Sequence, residues 1–486
     1  MKLKSFRTNA ALTLTTLMLM VAAAPTAATA QTFATVHSFG TGGEHPLAGL
    51  VQATNGDFYG TTVYGGANWA CHDGCGTVFK ITPSGALTRL YSFCSQSGCT
   101  DGVYPFAALV QATNGNLYGT TSYDGANHWG TVFKITPSGT LTTLHSFDST
   151  DGAVPFAALV LATNGNLYGT TYYGGANGYG TVFKITPSGT LTTLYSFCPQ
   201  SGGADGESPS TLIQGTDGNL YGTTYYTGAN GQGGTVFKIT PSGTLTTLYS
   251  FCSQSGCADG GGPSTLIQGT DNNLYGTAYY GGQGGTVFKI TPSGTLTTLY
   301  SFCSQSGCTD GRYPNAGLAQ ATDGNFYGTT VYGGANGWGT VFKIAPSGTL
   351  TTLYSFCSQS GCADGGYPYA ALVQATNGNL YGTTSYGGTH DACDGGCGTV
   401  FSLSVGLGPF VSLASTSGKA GKPIEVLGQG FTGTTAVSFN STPATYTVVS
   451  DTFLTATVPN GATTGSVTVT TPSGTLTSNK EFRVTP

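Results

Sequence analysis

Apolar and polar positions in this chain follow no helical period. Short runs rich in β-branched and aromatic residues alternate with clusters of Gly, Asn, Ser and Pro, the pattern of strands divided by turns. The stretch from Pro105 to Phe147 contains four such runs: Ala107 to Thr113, Asn116 to Tyr123, Gly130 to Thr136 and Thr140 to Phe147. Asn114-Gly115 separates the first two and predicts a type I′ hairpin, in which both central residues take positive φ. Pro137-Ser138-Gly139 separates the last two, with Pro presetting φ and Gly free to turn left-handed. A helical reading fails on the Gly and β-branched content.

This unit recurs seven times. Gly-Thr-Val-Phe returns with its Phe at 79, 133, 183, 237, 288, 342 and 401, and Tyr-Gly-Thr or its variant returns with its Tyr at 59, 118, 168, 221, 275, 327 and 381. Four antiparallel strands per unit of about 50 residues is the composition of a propeller blade. The order of segments supplies a second argument. Thr32 to Phe39 aligns with a fourth strand, whereas the last unit, Pro368 to Ser404, holds only three. A ring repairs both deficits, because the leading strand can pair with Gly398 to Ser404; an open solenoid would leave two bare edges. The expected fold class is therefore all-β, a seven-bladed β-propeller closed by the N-terminal strand.

In such a blade, the turns between strands one and two and between three and four share one face of the disc. They are nearly identical in all units. The opposite face carries the two-to-three loops and the crossovers, with all the length variation and all the cysteines. That variable face is where recognition is expected.

Composition narrows the function classes. Charged residues are 7% of the chain, against about 25% in ordinary soluble domains, so hydroxyls and backbone must solvate the surface. Lys2, Lys4 and Arg7, an apolar stretch from Ala10 to Ala24 and Ala28-Thr29-Ala30 read as a cleavable leader over residues 1–30. Its loss takes the formal charge from −5 to −8. The remaining basic residues are dispersed, which argues against nucleic acid as a partner. No later segment is long and apolar enough for a transmembrane helix. The chain thus reads as secreted or held in a bacterial-type cell envelope.

An exported chain can keep disulfides. Crossovers contain Cys94/Cys99, Cys252/Cys257, Cys303/Cys308 and Cys357/Cys362, and two-to-three loops contain Cys71/Cys75 and Cys393/Cys397. Their joint presence within single loops predicts local pairing. Cys198 has Gly203 where its partner is expected, which leaves either a buried free thiol or a link to another chain, the former favoured.

Few candidates for chemistry stand out. Asp101, Asp151, Asp205, Asp259, Asp310 and Asp364 each precede Gly by one residue and Pro by four. They form either a calcium-holding ring or, more in keeping with the sparse oxygen ligands per loop, turn-capping carboxylates. Cys71-His72-Asp73-Gly74-Cys75 and His390-Asp391-Ala392-Cys393 resemble zinc ligands only superficially. His37 and His145 stand where other units have Tyr. Trp69, His72, His128, Trp129, Tyr179, Trp338 and His390 lie in two-to-three loops and are the candidate ligand-binding residues. Outward-facing, they would stack on sugar rings or anchor a protein partner; turned inward, they would pack between blades. The mature chain has four glutamates, Glu44, Glu207, Glu425 and Glu481, and no paired carboxylates or activated nucleophile emerge. No catalytic residue, metal site or cofactor is assigned.

Residues 410–486 contain Gly428-Gln429-Gly430-Phe431 and Val458-Pro459-Asn460-Gly461-Ala462, by which they resemble the IPT/TIG immunoglobulin-like domains. That resemblance implies a β-sandwich acting as spacer or adhesion module. The repeats, with Asn-Gly-Asn-Leu-Tyr-Gly-Thr-Thr and Gly-Thr-Val-Phe-Lys-Ile-Thr-Pro-Ser-Gly, resemble the Gloeobacter/Verrucomicrobium-type tandem repeat of surface proteins. A fainter similarity links Asp217 to Tyr221 and Ile239 to Gly243 to streptogramin lyase propellers, whose histidine, glutamate and magnesium have no placeable counterpart here. The expected organisation is a leader (1–30), the propeller (31–405), a linker (406–409) and the immunoglobulin-like domain (410–486). The expected function is non-enzymatic binding or scaffolding, recognising a polysaccharide or envelope protein through the variable face. A metal-dependent lyase or hydrolase and a purely structural surface-layer component are the alternatives. Oligomeric state is not legible.

Overall fold

The computed structural model describes residues 31–40, 42–198, 202–390, 393 and 395–485. The expected leader lies outside the described residues, as do Asp391 and Ala392. The described chain is all-β, with short 3-10 turns such as Ser97–Cys99.

Among the described residues, the repeats form seven antiparallel sheets in sequence order. The second is typical: Val110–Gln111, Leu117–Thr121, Thr131–Ile135 and Leu141–Ser146 pair in turn. The seventh takes its outer strand from the other end of the chain, where Thr32–Ser38 pairs antiparallel with Thr399–Ser404. In the fourth and fifth sheets the second strand is longer, Leu220–Tyr226 and Leu274–Tyr280.

No sheet buries its faces alone. Each hydrophobic cluster joins one sheet to the next, as Leu117 and Phe133 of the second join Tyr59, Val78 and Phe93 of the first. The cluster of Phe79, Ile81, Tyr381, Val400 and Phe39 joins the seventh back to the first. At the centre of each cluster, a phenylalanine following a fourth strand meets the strand-three phenylalanine of the next sheet edge to face. Phe93–Phe133 lie 5.2 Å apart, Phe147–Phe183 5.3 Å, Phe302–Phe342 5.1 Å, and Phe39–Phe79 closes the succession at 5.2 Å. Such pairs add to the burial itself. The strand-two glycine makes room for them: a Cβ on Gly169 would stand 2.5 Å from the Phe183 ring.

Two hydrogen-bond series follow the same cyclic order. A strand-two threonine hydroxyl donates to a carbonyl of the next first strand, as from Thr61 to Ala107, Thr223 to Ser264 and, from last sheet to first, Thr383 to Ala48, over 2.7 to 3.1 Å. A glutamine oxygen accepts the amide of the preceding one-to-two turn, as Gln111 does from Thr54 and Gln52 from Thr376, both at 2.9 Å. Most first strands are shorter than the sequence pattern suggests. Ala107 spends its carbonyl on the neighbouring sheet, and only Val110–Gln111 remain in the ladder.

The type I′ expectation for the one-to-two turn is not met. Gly115 alone takes positive φ, at 78°. Asn114 Oδ1 instead accepts the Asn116 amide at 3.0 Å and Asn114 Nδ2 donates to the Tyr118 hydroxyl at 3.1 Å, so its side chain stabilises a three-residue turn with one left-handed glycine. The Pro-Ser-Gly turns do contain a left-handed glycine, Gly139, at 95°. It abuts the Leu90 carbonyl of the preceding sheet, where a Cβ would come within 2.7 Å.

Beyond Pro409, two four-stranded sheets and a short parallel pair enclose a separate core that includes Val426, Phe431, Val437, Leu454, Val469 and Phe482. This unit sits on the one-to-two turns. Phe410 N donates to Thr376 O at 3.1 Å, Gln429 Nε2 to Thr376 Oγ1 at 2.9 Å, and Arg483 to Thr216 O at 2.9 Å.

Replacing Phe183 with Ala removes one edge-to-face pair and leaves a cavity between the third sheet and the second. The expected loss is about 3–5 kcal/mol, read by urea denaturation, whereas Thr192→Ala, at an exposed strand-four position, changes stability by no more than about 0.5 kcal/mol. Equal effects of the two would contradict the packing scheme.

Candidate functional site

The end of the sheets opposite the C-terminal unit is built from the crossovers and the two-to-three loops. Six of the seven crossovers hold an aspartate, buried in five and half-buried at Asp151, whereas the crossover from Phe39 to Pro46 has Gly42 in its place. Asp101 accepts from Tyr91 Oη at 2.9 Å, from Ser95 N at 2.9 Å and from Gln96 N at 3.2 Å; Asp259, Asp310 and Asp364 repeat the arrangement. These carboxylates spend their oxygens on their own loops. In the third crossover His145 Nε2 takes the tyrosine's part, 2.6 Å from Asp151. Disulfides Cys94–Cys99, Cys252–Cys257, Cys303–Cys308 and Cys357–Cys362 close the crossovers, and Cys71–Cys75 and Cys393–Cys397 close two loops.

In every crossover the residue before the proline takes a left-handed conformation. His45, Tyr104, Val154, Ser208, Tyr313 and Tyr367 have φ between 52° and 58°, and Gly262 has 60°. For bulky or β-branched residues this costs about 1–3 kcal/mol each and persists only where the surroundings over-determine it. They do so here. The amide of each donates to a loop carbonyl, as Tyr104 to Cys75, Val154 to Trp129, Ser208 to Tyr179 and Tyr367 to Trp338, at 2.9 to 3.0 Å. On the other side, the Tyr104 carbonyl accepts from Ser122 N at 3.1 Å and that of Tyr367 from Ser385 N at 3.2 Å.

The strain aims side chains at one another. From sheet to sheet, ring contacts run Tyr104–Tyr64–His45–Tyr386 at 5.5, 5.7 and 4.9 Å, then Tyr386–Tyr367–Tyr332–Tyr313 at 5.4, 5.1 and 6.0 Å, and on to Tyr279 at 5.2 Å. A second arc joins Phe106 to Phe156 at 4.6 Å and Phe156 to Tyr172 at 5.7 Å, and Tyr225 meets Tyr226 and Tyr280 at 4.7 and 6.4 Å. All seven sheets contribute. Burial raises the pKa of the Tyr64, Tyr104, Tyr172, Tyr225, Tyr279, Tyr280 and Tyr367 hydroxyls, for Tyr225 to about 12, so these stay neutral hydrogen-bonding groups. Burial lowers that of His45, opposed by the hydrogen bond of its Nδ1 to Ser385 O at 2.6 Å. Burial, then Asp73, raises that of Glu44. Arg312 lies over the Tyr313 and Tyr332 rings at 5.4 and 5.8 Å.

The residues singled out in the sequence divide into two groups. Trp129, Tyr179 and Trp338 sit beside the left-handed residues through the carbonyls just described; Trp129 is 44% and Tyr179 45% exposed, whereas Trp338 is half-buried and stacked on Tyr367 at 4.5 Å. Trp69, His72, His128 and His390 stand further out on exposed loops. His72 and His128 pair only with the nearby Asp73 and Asp124 of their own loops, at 2.7 and 3.3 Å. His390 lies beside His37, whose pKa is lowered by burial and by His390. The tyrosines ending strand two and the residues before the crossover prolines went unremarked in the sequence. A faint signal was present: the two positions before each crossover proline vary from unit to unit, the second of them among His, Tyr, Val, Ser and Gly.

Two other clusters have a clear chemical reading. Among the described residues, Glu44, His45 and Cys393 offer ligand atoms within 4.8 Å of one another, but Cys393 is bonded to Cys397 and has no thiolate to give. Cys198 is a free thiol, 3.8 Å from Glu207 Oε1.

A family model described as Gloeobacter/Verrucomicrobia repeat matches residues 23–229, 157–309 and 208–469. No curated protein sequence matches the chain. Among solved structures, the extracellular domains of two hybrid two-component systems from B. thetaiotaomicron are similar in fold. One is 13% identical with a TM-score of 0.52, over 82% of this chain and 46% of that one. The other is 10% identical with a TM-score of 0.50, over 94% and 58%. The chain thus spans about half the length of each.

Burial first, then the charges of Glu207 and Asp205, push the Cys198 thiol up to about 11. At pH 8 the native protein should react with iodoacetamide roughly a hundredfold more slowly than an ordinary thiol of pKa near 9, and Glu207→Gln should speed the reaction. Reaction at the ordinary rate in the folded protein would contradict this environment.

Proposed function

Because the chain belongs to the Gloeobacter/Verrucomicrobia repeat family, we propose that it is an exported, non-enzymatic binding protein that recognises a neutral glycan through its loop-bearing end. In this reading the seven sheets are the blades of a closed β-propeller over residues 31–405. Residues 1–30 are its export leader, 406–409 a linker, and 410–486 an immunoglobulin-like spacer of IPT/TIG type. Six disulfides and the likeness in fold to extracellular sensor domains support an extracellular or envelope location. Among the described residues, no helix is long and apolar enough to cross a membrane.

One observation carries the proposal. Among the described residues, Trp69, Tyr123, Trp129, Tyr173, Tyr179 and Tyr226 account for all the large exposed hydrophobics except Val449, and all six stand at the loop-bearing end. Exposed flat rings among hydroxyls suit the apolar faces and polar edges of sugars. A chain with 7% charged residues has little with which to steer a charged partner.

The mature protein should be retained on at least one of immobilised amylose, galactomannan, β-1,3-glucan and cellulose. Trp129→Ala should weaken that retention about tenfold or more. Retention on none of the four, or retention unchanged when Trp129 and Tyr179 are both replaced by Ala, would overturn the reading.

A further inference from the structure

We infer that the aromatic mouth is a blind site that takes the end of a neutral polysaccharide chain and not its middle. The inference rests on the glycan reading and on the closed ring proposed above.

The mouth is shaped before any ligand arrives. The left-handed residues are held by hydrogen bonds to both their amide and, in most units, their carbonyl, so the backbone that presents the His45, Tyr104, Tyr313 and Tyr367 rings is fixed and little ordering remains to oppose binding. Just inside, the residues after the crossover prolines lead toward the first strands, and these segments touch between neighbouring sheets: Gly49 lies against Ala371, and Gly317 against Thr265. These positions are unequal around the ring. Phe106 and Phe156 form an aromatic arc on the second and third sheets. Ser210, Ser264 and Asn315 form a polar arc on the fourth to sixth, and Ser264 Oγ donates to the Asn315 carbonyl. One arc can take the apolar face of a terminal sugar while the other meets its hydroxyls. The charges near this end include Arg312 and Arg89, the latter on the Gly42 carbonyl, against Glu44, Asp73, Asp124 and Glu207, and form no basic cluster for an anionic polymer.

The far end is covered. The C-terminal unit bonds to Thr376 of the seventh sheet and reaches Thr216 of the fourth through Arg483, and Thr452 lies against Gly56 of the first. In a ring of seven, the fourth sheet faces the junction of the seventh and first. A single packed unit touching both sides must lie across the axis. A polymer therefore cannot thread the ring, and entry is limited to a chain end or a short branch.

The test uses the full-length mature protein and whichever of the four polysaccharides retains it. The unbranched polymer is cut by mild acid into progressively shorter chains at constant mass, and the amount of protein bound at saturation is measured. End-on binding predicts that capacity rises in proportion to the number of chain ends. It also predicts that Phe156→Ala, folded by its unchanged unfolding transition at working temperature, weakens binding about thirtyfold. Capacity that stays constant with chain cutting overturns the end-on site while leaving glycan recognition in place. Retention on none of the four removes both.

Discussion

No sheet of this protein can bury its apolar faces without the next one, and that shared burial is the constraint on which the molecule rests. The unit of the constraint is small: a phenylalanine after strand four set edge to face against a strand-three phenylalanine one sheet later, with a glycine opposite to admit the ring. Repetition makes it collective. Since Phe39 meets Phe79 and Thr383 bonds to Ala48, the succession returns to its start and leaves no terminal sheet with an uncovered face.

That closure allows strain elsewhere. Left-handed tyrosine, histidine and valine before proline oppose local preference, and they stand where loop, crossover and strand two converge. A scaffold whose stability lies in its inter-sheet cores can hold such residues and tolerate loops of differing length around them. The two ends have accordingly diverged. One repeats the same turns and supports the C-terminal unit; the other gathers the disulfides, the strained residues and nearly all the exposed aromatics.

Strand content, repeat number and the asymmetry of the two ends were legible because period-2 patterning and recurring Gly and Pro are local signals. Asn114 was misread because Asn-Gly suits more than one turn, and the choice depends on whether Tyr118 Oη is there to accept from its side chain. The loop tryptophans had the right location and undetermined depth: Trp338 stacks on Tyr367 while Trp69 stays in solvent, a difference set by neighbours from other repeats. The tyrosine circuit was least visible. Tyr104 and Tyr64 are 40 positions apart and Tyr386 and His45 are at opposite ends of the repeat array, so only the packing of successive sheets, the seventh on the first included, brings them together.

Native-state hydrogen exchange on the mature protein tests the closed succession most directly. If the seventh sheet packs on the first, the amides of Val78 and Phe79 and those of Val400 and Phe401 should exchange as slowly as Val236 and Phe237 of the fourth sheet, all through one global unfolding. An open array instead frays from its ends. Protection that falls steadily from the fourth sheet toward the first and seventh would contradict the ring.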